Sequence, residues 1–253
     1  MKILLGGALG RMGQEVTAAA AEAQVEIVCG VDVAYTGQPS DYPIVTAFDQ
    51  AMQKADVLID FSRPSALPEL LQLVRKEKMP AVLCTTGYNE AELQMIEEAS
   101  REIPVFRSAN MSLGVNVLRH LVQEAARALG EDFDVEIVER HHRMKADSPS
   151  GTALMLYDSV KDATETLRQP VFGRYGRTAQ RQPGEVGIHA VRGGTITGEH
   201  EVCFYGDGEE LILTHRAEKR SLFARGALRA AAFLMDKPAG KYDMQDLIEE
   251  MLR

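Results

Sequence analysis

Apolar and polar residues alternate along the first hundred positions in short blocks that predict strands and helices in turn. Apolar blocks at about 2–6, 25–33, 55–61, 80–84 and 104–106 have the length of buried strands. Between most of them, apolar residues recur every three or four positions, as in amphipathic helices. Strands that alternate with helices at this spacing predict a doubly wound parallel sheet.

The pattern changes in the second half of the chain. A long apolar helix is predicted from Ser112 to about Gly130, and period-two alternation then predicts a half-buried strand over 133–139. The other predicted elements are a helix from Thr152 to about Leu167, an extended loop over 169–187, strands at 188–193, 199–206 and 210–216, and helices at 221–235 and 243–252. Consecutive strands of this kind predict a mixed or antiparallel sheet, whose open face often serves in oligomerisation.

A glycine loop, Gly7-Ala8-Leu9-Gly10-Arg11-Met12-Gly13, separates the first predicted strand from its helix. Glycines there let the backbone approach a pyrophosphate, which binds at the helix N-terminus. Asp32 ends the second strand, 19 residues after Gly13, where dinucleotide folds place the acid that binds the adenosine ribose. The spacing G-x-x-G-x-x-G is not the common one, so a tight turn with a solvated Asp32 is the alternative. The combination of strand, glycines, helix and acid favours a dinucleotide site.

Polar residues follow three further predicted strands. They form the segments Phe61-Ser62-Arg63, Cys84-Thr85-Thr86-Gly87 and Ser108-Ala109-Asn110-Met111. Any one of these segments alone is typical of a turn. Because ligands of parallel sheets bind beyond the carboxyl ends of the strands, their joint placement indicates contacts with a cofactor.

These patterns predict a Rossmann-like fold with a second α+β domain that carries a mixed sheet. The dinucleotide-binding domain is expected over 1–112, joined by 222–253. The domain for substrate binding and oligomerisation is expected over 113–221.

The residues after Asp32 bear on the choice of cofactor. A carboxylate beside the ribose repels a 2′-phosphate, and no Lys or Arg follows Asp32 before Lys54. NADH is therefore predicted to be preferred over NADPH. The preference is expected to be modest, because Arg11 of the glycine loop could supply a cation.

Composition and charge narrow the class of partner. The 253 residues carry a net charge of −9, which argues against nucleic acid as the main partner. Cys29, Cys84 and Cys203 are widely spaced and form neither a metal motif nor a disulfide framework, so a reducing cytoplasm is expected. The first apolar run is too short for a signal peptide, and no stretch is long enough to span a membrane.

The densest cationic stretch lies in Glu139-Arg140-His141-His142-Arg143-Met144-Lys145-Ala146-Asp147-Ser148-Pro149-Ser150-Gly151-Thr152-Ala153. Five basic or titratable side chains in six residues of an acidic chain favour a receptor for a small anion such as a carboxylate. The turn that follows opens a helix, whose first N–H groups near Gly151 and Thr152 would add to that receptor.

The two adjacent histidines do not indicate a site by themselves, since an isolated pair is more often structural. The adjoining Lys145 and the Gly-Thr turn reverse that balance. Neighbouring side chains of an extended strand face opposite ways, so His141 and His142 can reach one cleft only where the strand bends.

These segments resemble the 4-hydroxy-tetrahydrodipicolinate reductase family, also called dihydrodipicolinate reductase. The resemblance lies in Gly10-Arg11-Met12-Gly13, Asp60-Phe61-Ser62-Arg63-Pro64, Thr85-Thr86-Gly87, Asn110-Met111-Ser112-Leu113-Gly114-Val115-Asn116, the stretch from Glu139 to Ala153, Gly198-Glu199-His200 and Thr214-His215-Arg216-Ala217. It covers essentially the whole chain. It implies reduction of 4-hydroxy-tetrahydrodipicolinate, a cyclic dicarboxylate, by NADH or NADPH in lysine and diaminopimelate biosynthesis, and a homotetramer formed through the second-domain sheet.

The resemblance also implies roles for individual residues. His141 and Lys145 match the family's catalytic histidine and lysine, His142 its substrate-binding histidine, and Gly151 and Thr152 the pair that holds a substrate carboxylate. The implied cofactor-binding residues are Gly7, Ala8, Leu9, Gly10, Arg11, Met12, Asp32, Cys84, Thr85, Thr86, Ser108, Ala109, Asn110 and Met111. No metal is implied. Leu9, Cys84 and Met111 depart from the residues common in the family.

The side-chain chemistry suits a reduction of this kind. Hydride addition to a conjugated C=N-type ring leaves electron density that needs a proton. Lys145 can attract a dianion and donate that proton, and a histidine can donate near neutral pH. The donor role stays open between His141 and Lys145, with Lys145 favoured. Two other functions are compatible with the sequence: a nicotinamide-dependent dehydrogenase of another small dicarboxylate, and a non-catalytic dinucleotide sensor.

Overall fold

The computed structural model describes residues 1–164 and 168–252. Its strands are β1 (Lys2–Gly6), β2 (Glu26–Val31), β3 (Ile44–Val45), β4 (Val57–Asp60), β5 (Ala81–Leu83), β6 (Pro104–Arg107), β7 (Asp134–His141), β8 (Gln169–Val171), β9 (Glu185–Arg192), β10 (Gly198–Gly206), β11 (Glu209–Ala217) and β12 (Gly240–Tyr242). Its α-helices are α1 (Arg11–Glu22), α2 (Leu67–Glu77), α3 (Glu90–Ser100), α4 (Leu113–Leu129), α5 (Gly151–Ala163), α6 (Ser221–Leu234) and α7 (Met244–Leu252). Two compact units result, one of residues 1–113 with those from Arg220 onwards and one of 114–219.

The first unit is built on a parallel sheet in the order β12-β6-β5-β4-β1-β2-β3. Its central strands are fully buried, as their continuous apolar runs require. One side of the sheet packs against the apolar residues of α1 and α6, and the other against those of α2 and α3. The predicted doubly wound Rossmann-like sheet is therefore confirmed.

The order of the strands places the site of this unit. From β1 the strands β2 and β3 are added on one side of the sheet, whereas β4, β5 and β6 are added on the other side. At this switch point, Gly6 at the end of β1 lies opposite Asp60 at the end of the parallel strand β4. A crevice opens beyond the carboxyl ends at such a reversal. The loops after β1, β2, β4, β5 and β6 all lie at the carboxyl ends of the strands.

Two strands of this sheet were not predicted. The strand β3 has two residues and β12 has three. Runs this short carry no periodic signal, and each is ordered by pairing with a neighbour, β2 or β6.

The second unit contains a mixed sheet in the order β11-β10-β7-β9-β8, as predicted. The β7–β9 and β8–β9 pairs are parallel, whereas β10 is antiparallel to both neighbours. One face packs against apolar residues of α4 and α5. Alternation along β7 sends Val135, Ile137, Glu139 and His141 to this buried face.

The loop predicted over 169–187 is wrong at both ends. The strand β8 begins at Gln169, and β9 begins at Glu185 rather than at residue 188. The polar and Pro-containing sequence gives neither β8 nor the start of β9 an apolar period. Both segments are ordered by pairing with each other. The helix predicted to reach Leu167 ends at Ala163, and Leu167 itself lies outside the described residues.

Within residues 1–164 and 168–252, none of the helices combines the length and the apolar character needed to cross a bilayer.

Candidate active site

The glycine loop between β1 and α1 is folded tightly against the end of the sheet. The N–H of Gly7 donates to the carbonyl of Val31 at 2.8 Å, and the N–H of Gly10 donates to the carbonyl of Gly7 at 3.1 Å. Gly7 has a φ of +73°, which favours glycine, and a Cβ on Gly13 would lie 2.2 Å from the Gly7 carbonyl oxygen. Gly10 caps α1 without a side chain, so the positive end of the helix is open to an anion.

Asp32 joins this loop to the end of β2. One carboxylate oxygen accepts the N–H of Leu9 and the other accepts the N–H of Ala34, both at 2.9 Å. The carboxylate lines a cavity of about 300 Å³ beside the loop. The cavity is lined by Gly7, Gly10, Val31, Asp32, Val33, Ala34, Thr46, Ala47, Phe48, Phe61, Ser62, Arg63, Ala66 and Glu69.

A second cavity, of about 650 Å³, lies over the ends of β4, β5 and β6. It brings together nine of the predicted cofactor-binding residues: Arg11, Met12, Cys84, Thr85, Thr86, Ser108, Ala109, Asn110 and Met111. Arg220 and Phe223 line it too, although nothing in the sequence pattern singled them out. Phe61, Ser62 and Arg63 line both cavities.

Two predicted residues, Ala8 and Leu9, line neither of these cavities. Ala8 is buried in the core, and Leu9 packs against it. Leu9 contributes its backbone, through the N–H donated to Asp32.

A buried carboxylate, Asp60, supports the turn after β5. It is 1% exposed and accepts the hydroxyl of Thr85 at 2.7 Å and the N–H of Ser62 at 3.2 Å. Burial raises the pKa of Asp60, although hydrogen bonds from Ser62 and Thr85 oppose that rise. Asp60 thereby fixes two segments that line the larger cavity.

The residues of the first unit fit a dinucleotide. The loop leaves space at a helix N-terminus for a pyrophosphate, and Asp32 offers carboxylate oxygens next to a cavity large enough for an adenosine. The second cavity offers hydroxyl and amide groups to the other end of such a molecule.

In the second unit, His141 ends β7 beside the fully buried Glu139. The His141 Nδ1 and the Glu139 Oε2 are 2.6 Å apart. Burial lowers the pKa of His141, and the charges of Lys145 and Arg192 lower it further, against the opposite effect of Glu139. An imidazole held in this way by a carboxylate has its second nitrogen, Nε2, left for chemistry.

Glu139 has two further partners. Arg192 from β9 donates to both carboxylate oxygens, at 2.7 and 2.6 Å, and the N–H of Ser150 donates to Oε1 at 3.0 Å. Burial alone would raise the pKa of Glu139, but the hydrogen bonds from Arg192, His141 and Ser150 outweigh it and hold the pKa below its ordinary value. Glu139 is therefore an anion that links three segments of the chain.

His142 and Lys145 lie in the loop after β7. β7 ends at His141, so His142 lies outside the strand and is not bound to the alternation of its side chains. The N–H of Lys145 donates to the carbonyl of His142 at 3.1 Å, and its ammonium donates to Asp147 at 2.8 Å. The Lys145 side chain is 20% exposed, so its charge is partly shielded from water.

Gly151 and Thr152 are the first two residues of α5. Ser150 caps this helix by accepting the N–H of Ala153 at 3.2 Å, and its hydroxyl lies 2.9 Å from Nε2 of His200. The helix N-terminus thus begins next to Glu139 and is suited to a carboxylate.

His200 is buried beside His141, with the two ring centres 5.2 Å apart. Burial, followed by the charge of His141, lowers the pKa of His200 to about 3. Sequence reasoning assigned no role to His200, Glu139 or Arg192. The motif Gly198-Glu199-His200 was the signal available for the first of these.

Two of the five basic or titratable side chains of the predicted anion receptor, Arg140 and Arg143, lie apart from His141. Arg140 points away from His141 on β7 and forms ion pairs with Glu199 at 3.0 Å and with Glu201 at 3.6 Å. Arg143 is exposed. The other three members of the run are His141, His142 and Lys145.

Comparison with known families identifies both halves of the chain. Residues 1–111 match the family described as dihydrodipicolinate reductase, N-terminus, and residues 114–248 match the family described as dihydrodipicolinate reductase, C-terminus. The 4-hydroxy-tetrahydrodipicolinate reductase of Caldanaerobacter subterraneus subsp. tengcongensis is 49% identical over 251 residues, which cover 99% of each chain. The enzyme of the same name from Clostridium tetani is 45% identical, over 98% of this chain and 97% of its own.

Solved structures share the fold. The dipicolinate-bound dihydrodipicolinate reductase of Paenisporosarcina sp. TG-14 superposes with a TM-score of 0.78 at 22% identity, over 96% of this chain and 97% of that one. A probable dehydrogenase from Thermotoga maritima superposes with a TM-score of 0.64 at 12% identity, over 100% and 94% of the two chains.

Proposed function

Because the chain belongs to the dihydrodipicolinate reductase family, we propose that it reduces 4-hydroxy-tetrahydrodipicolinate to tetrahydrodipicolinate, a step of lysine and diaminopimelate biosynthesis. The observation that carries the proposal is 49% identity to a reductase of this name over 99% of both chains. The reaction replaces a ring hydroxyl by hydrogen, so it consumes a hydride and a proton and releases water.

The residues of the first unit hold the cofactor. The glycine loop and the start of α1 bind its pyrophosphate, Asp32 binds the adenosine ribose, and the segments after β5 and β6 bind the nicotinamide half. When bound, the reduced nicotinamide supplies the hydride. The close packing of Gly7 and Gly13 and the larger cavity support this assignment.

NADH is the preferred cofactor in this proposal. The cavity beside Asp32 has a second carboxylate, Glu69, in its lining, and Arg63 is the one cation among its lining residues. Glu69 is held there by the N–H of Asp49, donated at 3.2 Å. Two carboxylates repel the 2′-phosphate of NADPH more than one, and Arg11 lines the other cavity instead.

The residues of the second unit bind the substrate and deliver the proton. His142, Gly151 and Thr152 bind the substrate carboxylates, which agrees with the dipicolinate bound by the Paenisporosarcina relative. Lys145 is the proton donor, because its ammonium is held by Asp147 at 2.8 Å and is partly shielded from water. His141 is the alternative donor through Nε2.

The chain is further proposed to act as a cytoplasmic homotetramer. The face of the second sheet away from α4 and α5 carries exposed apolar side chains, among them Val191 and Ile212. Such a face is suited to pairing with a second copy of the chain.

The test is oxidation of NADH in the presence of 4-hydroxy-tetrahydrodipicolinate, made in situ from pyruvate and aspartate semialdehyde by the preceding synthase. The proposal predicts rapid loss of NADH absorbance that depends on this substrate. Tight NADH binding without turnover would favour a dinucleotide sensor. Turnover with a different dicarboxylate, and none with this one, would favour another dehydrogenase.

A further inference from the structure

We propose that the ion pair between Glu139 and Arg192 is the positioning unit of the substrate site. It holds the ring of His141, the loop of Lys145 and the turn before Gly151 in one arrangement. This inference rests on the proposed function, since it assigns the pair to the site of that reaction.

The pair is short and has two hydrogen bonds, and its carboxylate is buried. Arg192 donates one hydrogen bond to each oxygen of Glu139, at 2.7 and 2.6 Å, and Glu139 is fully shielded from solvent. The two-point geometry is one that an arginine can make and a lysine cannot. A carboxylate buried this deeply requires such a partner to stay charged.

Glu139 positions His141 and the start of α5. Its Oε2 lies 2.6 Å from the His141 Nδ1, which fixes the ring and keeps the proton of Nδ1 directed at the carboxylate. Its Oε1 accepts the N–H of Ser150 at 3.0 Å. Ser150 caps α5, so the same carboxylate fixes the start of the helix that presents Gly151.

Arg192 positions the loop that carries Lys145. It donates to the carbonyl of Asp147 at 2.9 Å, and the Asp147 carboxylate accepts the ammonium of Lys145 at 2.8 Å. The parallel register of β7 and β9 sets His141 opposite Arg192, which explains how a residue some fifty positions away enters the site. The loop of Lys145 is therefore anchored at the same ion pair as His141.

Four charged or titratable groups face His141. They are Glu139 on its own strand, Lys145 in the following loop, Arg192 on β9 and His200 on β10. Loss of the Glu139 charge would lower the pKa of His141, whereas loss of the Arg192 charge would raise it. Contact of both charges with the His141 ring predicts shifts in opposite directions, and the split between kcat and KM tests the alignment of the reacting groups.

The experiment compares Arg192→Gln, Arg192→Lys and Glu139→Gln with a matched control, Arg174→Gln. Arg174 makes a similar contact with a glutamate of β7, Glu136, on the other face of the sheet. Two readouts are used: the titration of His141 by NMR and the steady-state constants kcat and KM for the reduction. The NMR readout needs no turnover.

Arg192→Gln is expected to raise the pKa of His141 and to lower kcat by about 10- to 100-fold, more than it raises KM, because the reacting groups lose their alignment. Glu139→Gln is expected to lower the pKa of His141. Arg192→Lys should restore the pKa but only part of kcat, and Arg174→Gln should change neither.

Shifts of the His141 pKa in the same direction, or a kcat of Arg192→Gln equal to that of Arg174→Gln, would overturn the inference. If Glu139→Gln does not fold, the two Arg192 variants still decide the matter. Failure of the proposed function is recognised separately, as absence of turnover in the unchanged protein, and the NMR titrations then decide the positioning role alone.

Discussion

In both units, single carboxylates hold loops and turns in place through hydrogen bonds. Asp32 accepts an N–H of the glycine loop, Asp60 accepts the Thr85 hydroxyl of the turn after β5, and Glu139 accepts the N–H of Ser150 at the start of α5. The sequence predicted a ligand contact for Asp32 from its spacing, but its hydrogen bonds to Leu9 and Ala34 depend on how the loop folds. For Glu139 the partners come from three segments, so no local pattern could indicate its role.

The choice of cofactor is tested at Glu69, an acidic residue of the cavity beside Asp32. Glu69→Gln removes a negative charge from the cavity beside Asp32, so it should raise kcat/KM with NADPH several-fold and leave that with NADH almost unchanged. Both efficiencies are measured side by side. Glu98→Gln, at an exposed position of α3, is the control. A clear NADPH preference in the unchanged protein would contradict the account.

The proton donor is tested at Lys145. Lys145→Ala should lower kcat by about 10²- to 10⁴-fold, the usual contribution of a general acid, while NADH still binds. Lys161→Ala, an exposed residue of α5, serves as the control and should keep full turnover. Turnover that survives in Lys145→Ala would transfer the donor role to His141.

The sequence predicted whole helices and strands where apolar residues recur with one period over a long stretch. The central strands of the first sheet and the amphipathic helices, such as α2 and α4, follow from their apolar spacing. The short strands β3, β8 and β12 could not be predicted from apolar spacing, because they form only by pairing with a neighbouring strand. Likewise, the motifs predicted which strand ends line one cavity, whereas the pairing of β9 with β7 that brings Arg192 to Glu139 is a tertiary feature.

The strand β10 carries a pH-sensitive element, His200. Its pKa of about 3 lies below that of an unfolded histidine, near 6.5, so between these values the unfolded chain binds a proton that the folded chain does not. Stability should therefore fall as the pH falls below about 6.5, by about 1.4 kcal/mol per pH unit from this residue once the pH is well below that value.

Urea unfolding of the unchanged protein and of His200→Gln at pH 7.5 and 5.5 measures this effect. The variant should lose less free energy of unfolding on acidification than the unchanged protein does. His120→Gln, on α4, is the control. An equal loss in all three proteins would exclude His200 as the source.

The whole chain forms two compact units, each with part of the predicted site. The first presents the dinucleotide site and the second presents His141, Lys145 and the start of α5. The alternation of strands and helices predicted the first unit, and the consecutive strands predicted the mixed sheet of the second. Assembly into a tetramer remains a prediction from the family.

Light scattering after size-exclusion chromatography tests that assembly. The unchanged protein should have a mass about four times 27.8 kDa. Ile212→Glu places a charge on the outer face of the second sheet, where Ile212 is 44% exposed, and should reduce the mass. Met52→Glu, in the first unit, should not. A monomeric unchanged protein would contradict the assembly.

In the proposed reaction, hydride passes from the nicotinamide to the ring of 4-hydroxy-tetrahydrodipicolinate. The most direct measurement is the mass spectrum of tetrahydrodipicolinate formed with NADH that is dideuterated at C4. The account predicts a product heavier by one deuterium, bound to carbon. A product without deuterium, or no conversion of this substrate, would contradict it.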